Sequence, residues 1–180
     1  MLRPALVSPF SASADEIRRA RKGPTLSCRA AADDELALHW RIRHEVFVDE
    51  QGVFDVDDRD EFDDRAGTVH ALGLCGPVAA GTVRFYPLSD PRLWKGDRLA
   101  VLPPFRSLGL GGPLVRFAVH TAGTLGGEQM IAYIQPQNVA VFEHLGWRTV
   151  GPLIDYVGQP HQKMLIDLLR SDPPHVTLVP

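Results

Sequence analysis

A chain of 180 residues, 44% hydrophobic and 23% charged, is long enough for one domain that buries roughly two-thirds of its unfolded surface. Its net charge of −3 and pI near 6.1 argue against a general nucleic-acid binder. Two cysteines, Cys28 and Cys75, make no disulfide framework, and no apolar run reaches the length of a membrane span.

Residues 1–24 read as a tail with one short helix. Ser13 stands three residues before Glu16, the form of a capping box, and Gly23-Pro24 ends the turn. The apolar start is too short and too broken by proline for a signal peptide, so the cytoplasm is the default compartment. The main domain is expected over 25–170, with an extended tail over 171–180. Thr25 to Arg29 alternates as a first strand. Asp33 or Asp34 is placed to cap a helix reaching about Val48, with Leu36, Trp40, Ile42, Val46 and Phe47 on its apolar face. The run from Asp49 to Asp64 then gathers many of the carboxylates. Tested as a calcium loop from Asp55, it places Asp60 where the turn requires glycine, so that reading fails. It reads either as a solvated acidic loop or as the rim of a pocket for a cationic amine.

Gly67 to Leu74 and Val78 to Tyr86 form two expected strands around the Cys75-Gly76-Pro77 turn, followed by a loop over 87–95. Leu99 to Leu102 reads as a buried strand, stopped by Pro103 and Pro104, which have no N–H to donate. Gly109, Gly111 and Gly112 follow and open a helix with Pro113 in its first turn. Leu114, Val115, Ala118, Val119 and Ala122 give that helix a buried face. A glycine-rich turn entering a helix is an anion site, and diphosphate is the anion such turns most often hold. It is not a P-loop, because Pro113 follows Gly112, and Leu114 occupies the place of the third glycine in a dinucleotide fingerprint. Met130 to Ile134 reads as a strand. Asn138 is placed to cap a two-turn helix ended by Gly146, and Trp147 to Tyr156 and Met164 to Leu169 are the last strands. The seven histidines show no His-x-x-x-His spacing and the cysteines no Cys-x-x-Cys, so no metal centre is expected. Without a Gly-x-Ser-x-Gly elbow, serine hydrolase chemistry has no support.

Arg106-Ser107-Leu108-Gly109-Leu110-Gly111 resembles the Gln/Arg-x-x-Gly-x-Gly/Ala signature of the GNAT superfamily of acyl-CoA N-acyltransferases. The run from Arg43 to Gln51, with Asp60, Glu61, Asp63 and Asp64 after it, is similar to the ElaA-like branch of that superfamily. The acyl-homoserine-lactone synthases share a related arginine followed by acidic residues. Asn138 to Trp147 resembles the family's asparagine-led helix, and Gly158-Gln-Pro-His161-Gln-Lys-Met164 is similar to another ElaA-like run.

Four such segments, in the family's order, span Arg43 to Met164. The resemblance implies an α/β (α+β) GNAT fold, a mixed and mostly antiparallel sheet flanked by helices and splayed where acyl-CoA enters. It implies that Leu99, Ala100 and Val101 bind pantetheine, with one amide there acting as an oxyanion donor. Arg106, Ser107, Leu108, Gly109, Leu110, Gly111 and Gly112 would hold the diphosphate, and Asn138 and Phe142 the pantetheine arm. Phe142 stands where the family has the tyrosine that protonates the departing thiolate, and phenylalanine has no proton to give. Arg43, Phe47, Asp60, Arg84 and Tyr156 fall on the acceptor side, and Glu50 or His161 would take the amine's proton. The implied donor is acetyl-CoA or another acyl-CoA, and the acceptor a small-molecule or peptide amine. Nucleic acid, membrane and metal have no place in this reading, and a homodimer is left open. Two rivals stand beside N-acetyl transfer: acyl-homoserine-lactone-synthase-like chemistry with longer acyl donors, and a non-catalytic acyl-CoA sensor or partner protein.

Overall fold

The computed structural model describes residues 6–22, 25–156 and 158–168. The N-terminal segment begins with Val7, which makes a parallel bridge to Val78. Helix α1 (Ala14–Arg21) follows, with the expected capping box between Ser13 and Glu16. Strand β1 (Leu26–Ala30) leads into a 3-10 turn at Asp33–Glu35 and helix α2 (Leu36–His44). Neither aspartate caps this entry. The cap position is Ala32, whose N–H donates to the Glu35 carboxylate at 2.8 Å. The helix then widens into a π-turn over Glu45–Glu50. Its inward residues are His39, Ile42, Arg43 and Val46, so half of the buried face is polar.

Strands β2 (Val69–Cys75) and β3 (Val78–Pro87) form the expected hairpin. Strand β4 (Leu93–Val101) is longer than its sequence suggested, because Leu93 to Asp97 also pair in the sheet and Leu93 to Lys95 are not loop. A 3-10 turn at Pro103–Leu108 and Gly109, left-handed at φ 76°, deliver the chain to helix α3 (Gly111–Thr124). Strand β5 (Gln129–Ile134), helix α4 (Val139–His144) and strands β6 (Arg148–Tyr156) and β7 (Gln159–Asp167) complete the chain. The segment 159–163, expected as a connection, is the first half of β7, where His161 pairs with Ile154. The expected strand residue Leu169 and the tail over 171–180 lie outside the described residues.

Among the described residues, seven strands form one sheet in the order β1-β2-β3-β4-β5-β7-β6. Only β4 and β5 run parallel, joined by the crossover through α3. Helix α3 lies on one face, where Leu110 and Leu114 approach the sheet so closely that a Cβ on Gly73 or Gly81 would come within 3.0–3.3 Å of them. Val83 and Phe85 share that face. Helix α2 covers the other, on which His70 and Arg84 pair across β2 and β3. Among the described residues no helix is long and apolar enough to cross a membrane.

His39 of α2 meets His70 edge-on at 4.8 Å, and neither ring is more than 8% exposed. Burial, then the Arg43 charge, holds His39 well below the usual histidine range, so it is neutral when folded. The unfolded chain binds this proton near the ordinary value of about 6.5. Stability from this site is therefore complete above about pH 6.5 and falls as pH drops toward the folded value. Urea midpoints at pH 7.5, 6.0 and 5.0 are expected to decline, and His39→Leu is expected to flatten that decline. A midpoint constant between pH 7.5 and 5.0 would remove this role.

Candidate active site

The cleft begins where β4 carries one residue too many. Thr82 pairs with Ala100 and Arg84 with Asp97, so two steps along β3 match three along β4. The extra residue takes Arg98 into left-handed backbone at φ 51°, the only such non-glycine among the described residues. A bulge leaves a residue unpaired and bends the strand. Arg98 and Leu99 accordingly have no partner in the register of either neighbour. On the other side β4 pairs with β5 only from Leu93 to Lys95, and beyond that point the two strands part.

A cavity of about 190 Å³ opens in this gap. Toward α3 and α4 its wall is apolar, formed by Val83, Val115, Ala118, Met130, Phe142 and Trp147. Phe142 meets Trp147 edge-on at 5.4 Å. Asn138 also lines it. Its side chain makes no capping bond to α4, contrary to the expected cap, and its amide is left for the cleft. The opposite wall is aromatic and polar, with Phe47, Phe54, Asp97, Arg98, Tyr133, Tyr156 and His161.

The glycine loop opens α3, the helix whose Val115 and Ala118 line the cavity. Gly111 and Gly112 supply the first amides of α3, which have no carbonyl one turn earlier to bond. A Cβ built on Gly109 or Gly111 meets nothing within 4 Å, and one on Gly112 meets only the Arg116 guanidinium at 3.6 Å. The loop is thus an open cradle with amides, a helix dipole and a nearby cation, features that fit a diphosphate.

The profile of the Acetyltransferase (GNAT) family matches residues 34–147. The chain belongs to the GNAT acetyltransferase family. A Bacillus subtilis (strain 168) protein named as an acetyltransferase is 30% identical over 137 residues, covering 76% of this chain and 92% of its own. Escherichia coli ElaA superposes with a TM-score of 0.68 at 19% identity, over 79% of this chain and 98% of its own. A CoA-dependent acyl-homoserine lactone synthase, BjaI, solved with SAM and isopentyl-CoA, gives 0.66 at 22% identity, over 82% and 85%. Likeness at that identity is likeness of fold. The protein is therefore an acyl-CoA N-acyltransferase of the GNAT type, with the sheet and helices expected of that fold.

Within this GNAT frame the acidic loop takes an unexpected place. Arg43 is fully buried, bonded by Nε to Asp58 at 2.7 Å and by Nη1 to Asp63. Arg84, also fully buried, bonds Asp97 through Nε and Nη2 at 2.8 Å each, and Asp60 through Nη1 at 2.6 Å. Its Nη1 also lies 2.8 Å from Asp63. Arg98 reaches Asp58 and Asp60 and stacks on Phe54 at 4.8 Å. Burial pushes the Asp63 carboxyl up, but the Arg43 hydrogen bond and charge outweigh it and hold it well below the usual range. Asp60 is lowered in the same way, with Arg84 overcoming burial. Arg43, Arg84 and Asp60 thus sit beneath the cleft wall rather than in it, and they pin the Asp55–Asp64 loop to β3 and β4. A free acidic rim does not form here, because the carboxylates nearest the cleft are already paired.

Glu50 meets a different constraint. Its carboxylate accepts from Arg106 Nη1 at 2.6 Å, while Arg106 Nε donates to Val101 O at 2.9 Å. The Arg106 hydrogen bond lowers the Glu50 pKa and weakens it as a base. This pair braces the glycine loop against the π-turn. His161 stays in the cleft wall. Its Nδ1 lies 3.0 Å from Gln159 O, a carbonyl that only accepts, so Nδ1 carries the hydrogen and Nε2 keeps its lone pair. Leu99, Asn138, Phe142, Phe47, Tyr156 and His161 line the same cavity. Ala100 faces away from it into the core at 2% exposure, and Val101 reaches the site through its carbonyl bond to Arg106. Lys95, Asp97, Arg98 and Tyr133 escaped assignment from the sequence. Arg98 carried one usable signal, its place just before the strand at Leu99. Among the described residues no group of three or more His, Cys, Asp or Glu side chains is arranged to hold a metal ion.

Proposed function

We propose that the chain transfers the acetyl group of acetyl-CoA to the primary amine of a small molecule, by direct attack with both substrates bound together. The observation that carries this reading is the bulge at Arg98 and Leu99 in the wall of a cleft also lined by α3, the helix that the glycine cradle opens. A strand amide without a register partner is an oxyanion donor for the thioester carbonyl, fixed by the fold before charge develops. The amides of Gly111 and Gly112 hold the diphosphate, and the Asn138 side chain holds the pantetheine arm. His161 Nε2 takes the proton that the amine must lose.

The acceptor wall bears on which amine enters. Its one carboxylate, Asp97, is bonded twice to Arg84 and once to the Tyr86 hydroxyl, at 3.2 Å. A polycation finds no unpaired anion there. The faces of Phe47, Phe54, Tyr133 and Tyr156 suit an amine on an aromatic or apolar body. The test is a panel of amines with acetyl-CoA and thiol detection, holding phenethylamine, tyramine, spermidine and an aminoglycoside. The arylalkylamines are expected to turn over fastest, and His161→Ala is expected to lower kcat about 10²-fold, the scale of one acid–base group. Wild-type rates in His161→Ala would return that histidine to a structural role. No turnover with any amine, despite coenzyme binding, would sink the transfer reading.

A further inference from the structure

The acid that this cleft lacks at Phe142 is supplied from its opposite wall. We propose that Tyr156, held by Lys95, protonates the departing thiolate. The inference rests on the transfer reading above and adds the group that completes it.

Lys95 is a lysine in an aromatic enclosure. Its side chain is 13% exposed. Its Nζ lies 5.1, 5.5 and 6.0 Å from the ring centres of Tyr156, Tyr133 and Tyr86. Nζ is 3.2 Å from the Tyr156 hydroxyl oxygen and 3.8 Å from Asp97 Oδ2. An ammonium has three donors and no acceptor, so in this bond the tyrosine oxygen accepts. The hydroxyl hydrogen of Tyr156 is then left to donate elsewhere, and Tyr156 lines the cleft. The arrangement therefore presents an O–H donor to the cleft with a cation behind its oxygen, which favours the charge left when the proton departs.

The surroundings fix that donor. Tyr156 stacks on Tyr133 at 5.0 Å and 16°, and His161 meets its ring edge-on at 5.4 Å. Asp97, the anion facing Lys95, is committed to Arg84, so it holds the lysine without withdrawing it from the tyrosine. These groups belong to β3, β4, β5, β6 and β7, and the acid is assembled only by the folded sheet.

The step balances with no further reactant. The amine nitrogen attacks the thioester carbonyl carbon, the N–C bond forms, and the C–S bond breaks with its electron pair on sulfur. Tyr156 gives its proton to that sulfur, and His161 Nε2 takes one from the nitrogen. The phenolate and imidazolium so formed return to neutral as a proton passes between them through water. The net result is amine plus thioester to amide plus thiol.

The test compares wild type, Tyr156→Phe, Lys95→Met and Lys95→Arg with the best amine found. Tyr156→Phe removes only the oxygen and is expected to lower kcat about 10²-fold. Both KM values and the coenzyme-induced rise in melting temperature are expected to stay within about 3-fold of wild type. Lys95→Met is expected to lower kcat at unchanged KM, because the Tyr156 oxygen loses the cation 3.2 Å from it, and Lys95→Arg to restore much of the rate. An unchanged kcat in Tyr156→Phe overturns the proposal while the transfer reading stands. A raised acceptor KM at unchanged kcat overturns it equally, making Tyr156 a binding residue. A wild-type protein with no turnover on any amine overturns the transfer reading itself.

Discussion

Gly111→Asp is expected to abolish the rise in melting temperature that coenzyme A gives the wild-type protein. A ligand that binds only the folded state at 100 times its dissociation constant stabilises that state by about 2.7 kcal/mol. For a chain of this size that is about 5–10 °C. The variant tolerates the substitution sterically, since a Cβ at Gly111 meets nothing within 4 Å and its φ lies outside the left-handed region. As the first residue of α3 it even favours an acid, which stabilises a helix N-terminus by about 0.3–1 kcal/mol. The unliganded variant should therefore melt at or slightly above the wild-type temperature, while its carboxylate stands where the diphosphate would. Gly111→Ala separates the two causes, because it adds bulk without charge and should keep part of the shift. A full shift in Gly111→Asp would remove the diphosphate from this loop.

Arg84→Leu is expected to cost about 3–5 kcal/mol, the usual penalty for removing one partner of a buried ion pair. Arg84 is fully buried and holds Asp60, Asp63 and Asp97, of which the side chain of Asp63 is itself fully buried. Without it these carboxylates keep their desolvation and lose their strongest common partner. The same cluster sets the acid limit of the wild type. Asp63 and Asp60 have folded pKa values below their ordinary ones, so their stabilisation is present above the unfolded value of about 3.9 and is lost as pH falls through the folded values. Urea unfolding at pH 7 and pH 3 measures both effects. The variant is expected to be less stable at pH 7 and to lose less on acidification. A loss under about 1 kcal/mol at pH 7 would mean that the cluster behaves as a solvated surface pair.

The two predictions concern parts of the site that differ in legibility. The glycine cradle was readable because its physics is local. Gly109, Gly111 and Gly112 lie within four residues, and a turn entering a helix presents its amides whatever packs around it. The hairpin at Gly76-Pro77, the capping box at Ser13 and the end of α4 at Gly146 were legible for the same reason. Asn138 misled, since the side-chain type that favours a cap serves equally well in a cleft wall.

The acidic loop shows where local reading stops. Asp58, Asp60 and Asp63 look like solvated charges in sequence because the run from Asp49 to Asp64 holds many carboxylates and one arginine, Arg59. Their partners are Arg43, Arg84 and Arg98, which stand 15 to 40 residues away along the chain. Along the first half of β4, Lys95 and Asp97 interrupt any apolar alternation, so the strand pattern shows in the sequence only from Leu99. His161 likewise passed for a residue in a connection until its pairing with Ile154 placed it in β7.

The sequence by itself determined the family, the order of the elements and the glycine-rich turn that opens α3, because each follows from patterns between near neighbours in the chain. Only the tertiary structure decided which charges are buried in pairs, which strand carries the bulge, and that Lys95 and Tyr156 meet across 61 residues. Whether a charged or phenolic group is an acid, a base or a strut depends on what stands within a few ångströms of it. Those neighbours come from other strands, and the folded sheet alone brings them together.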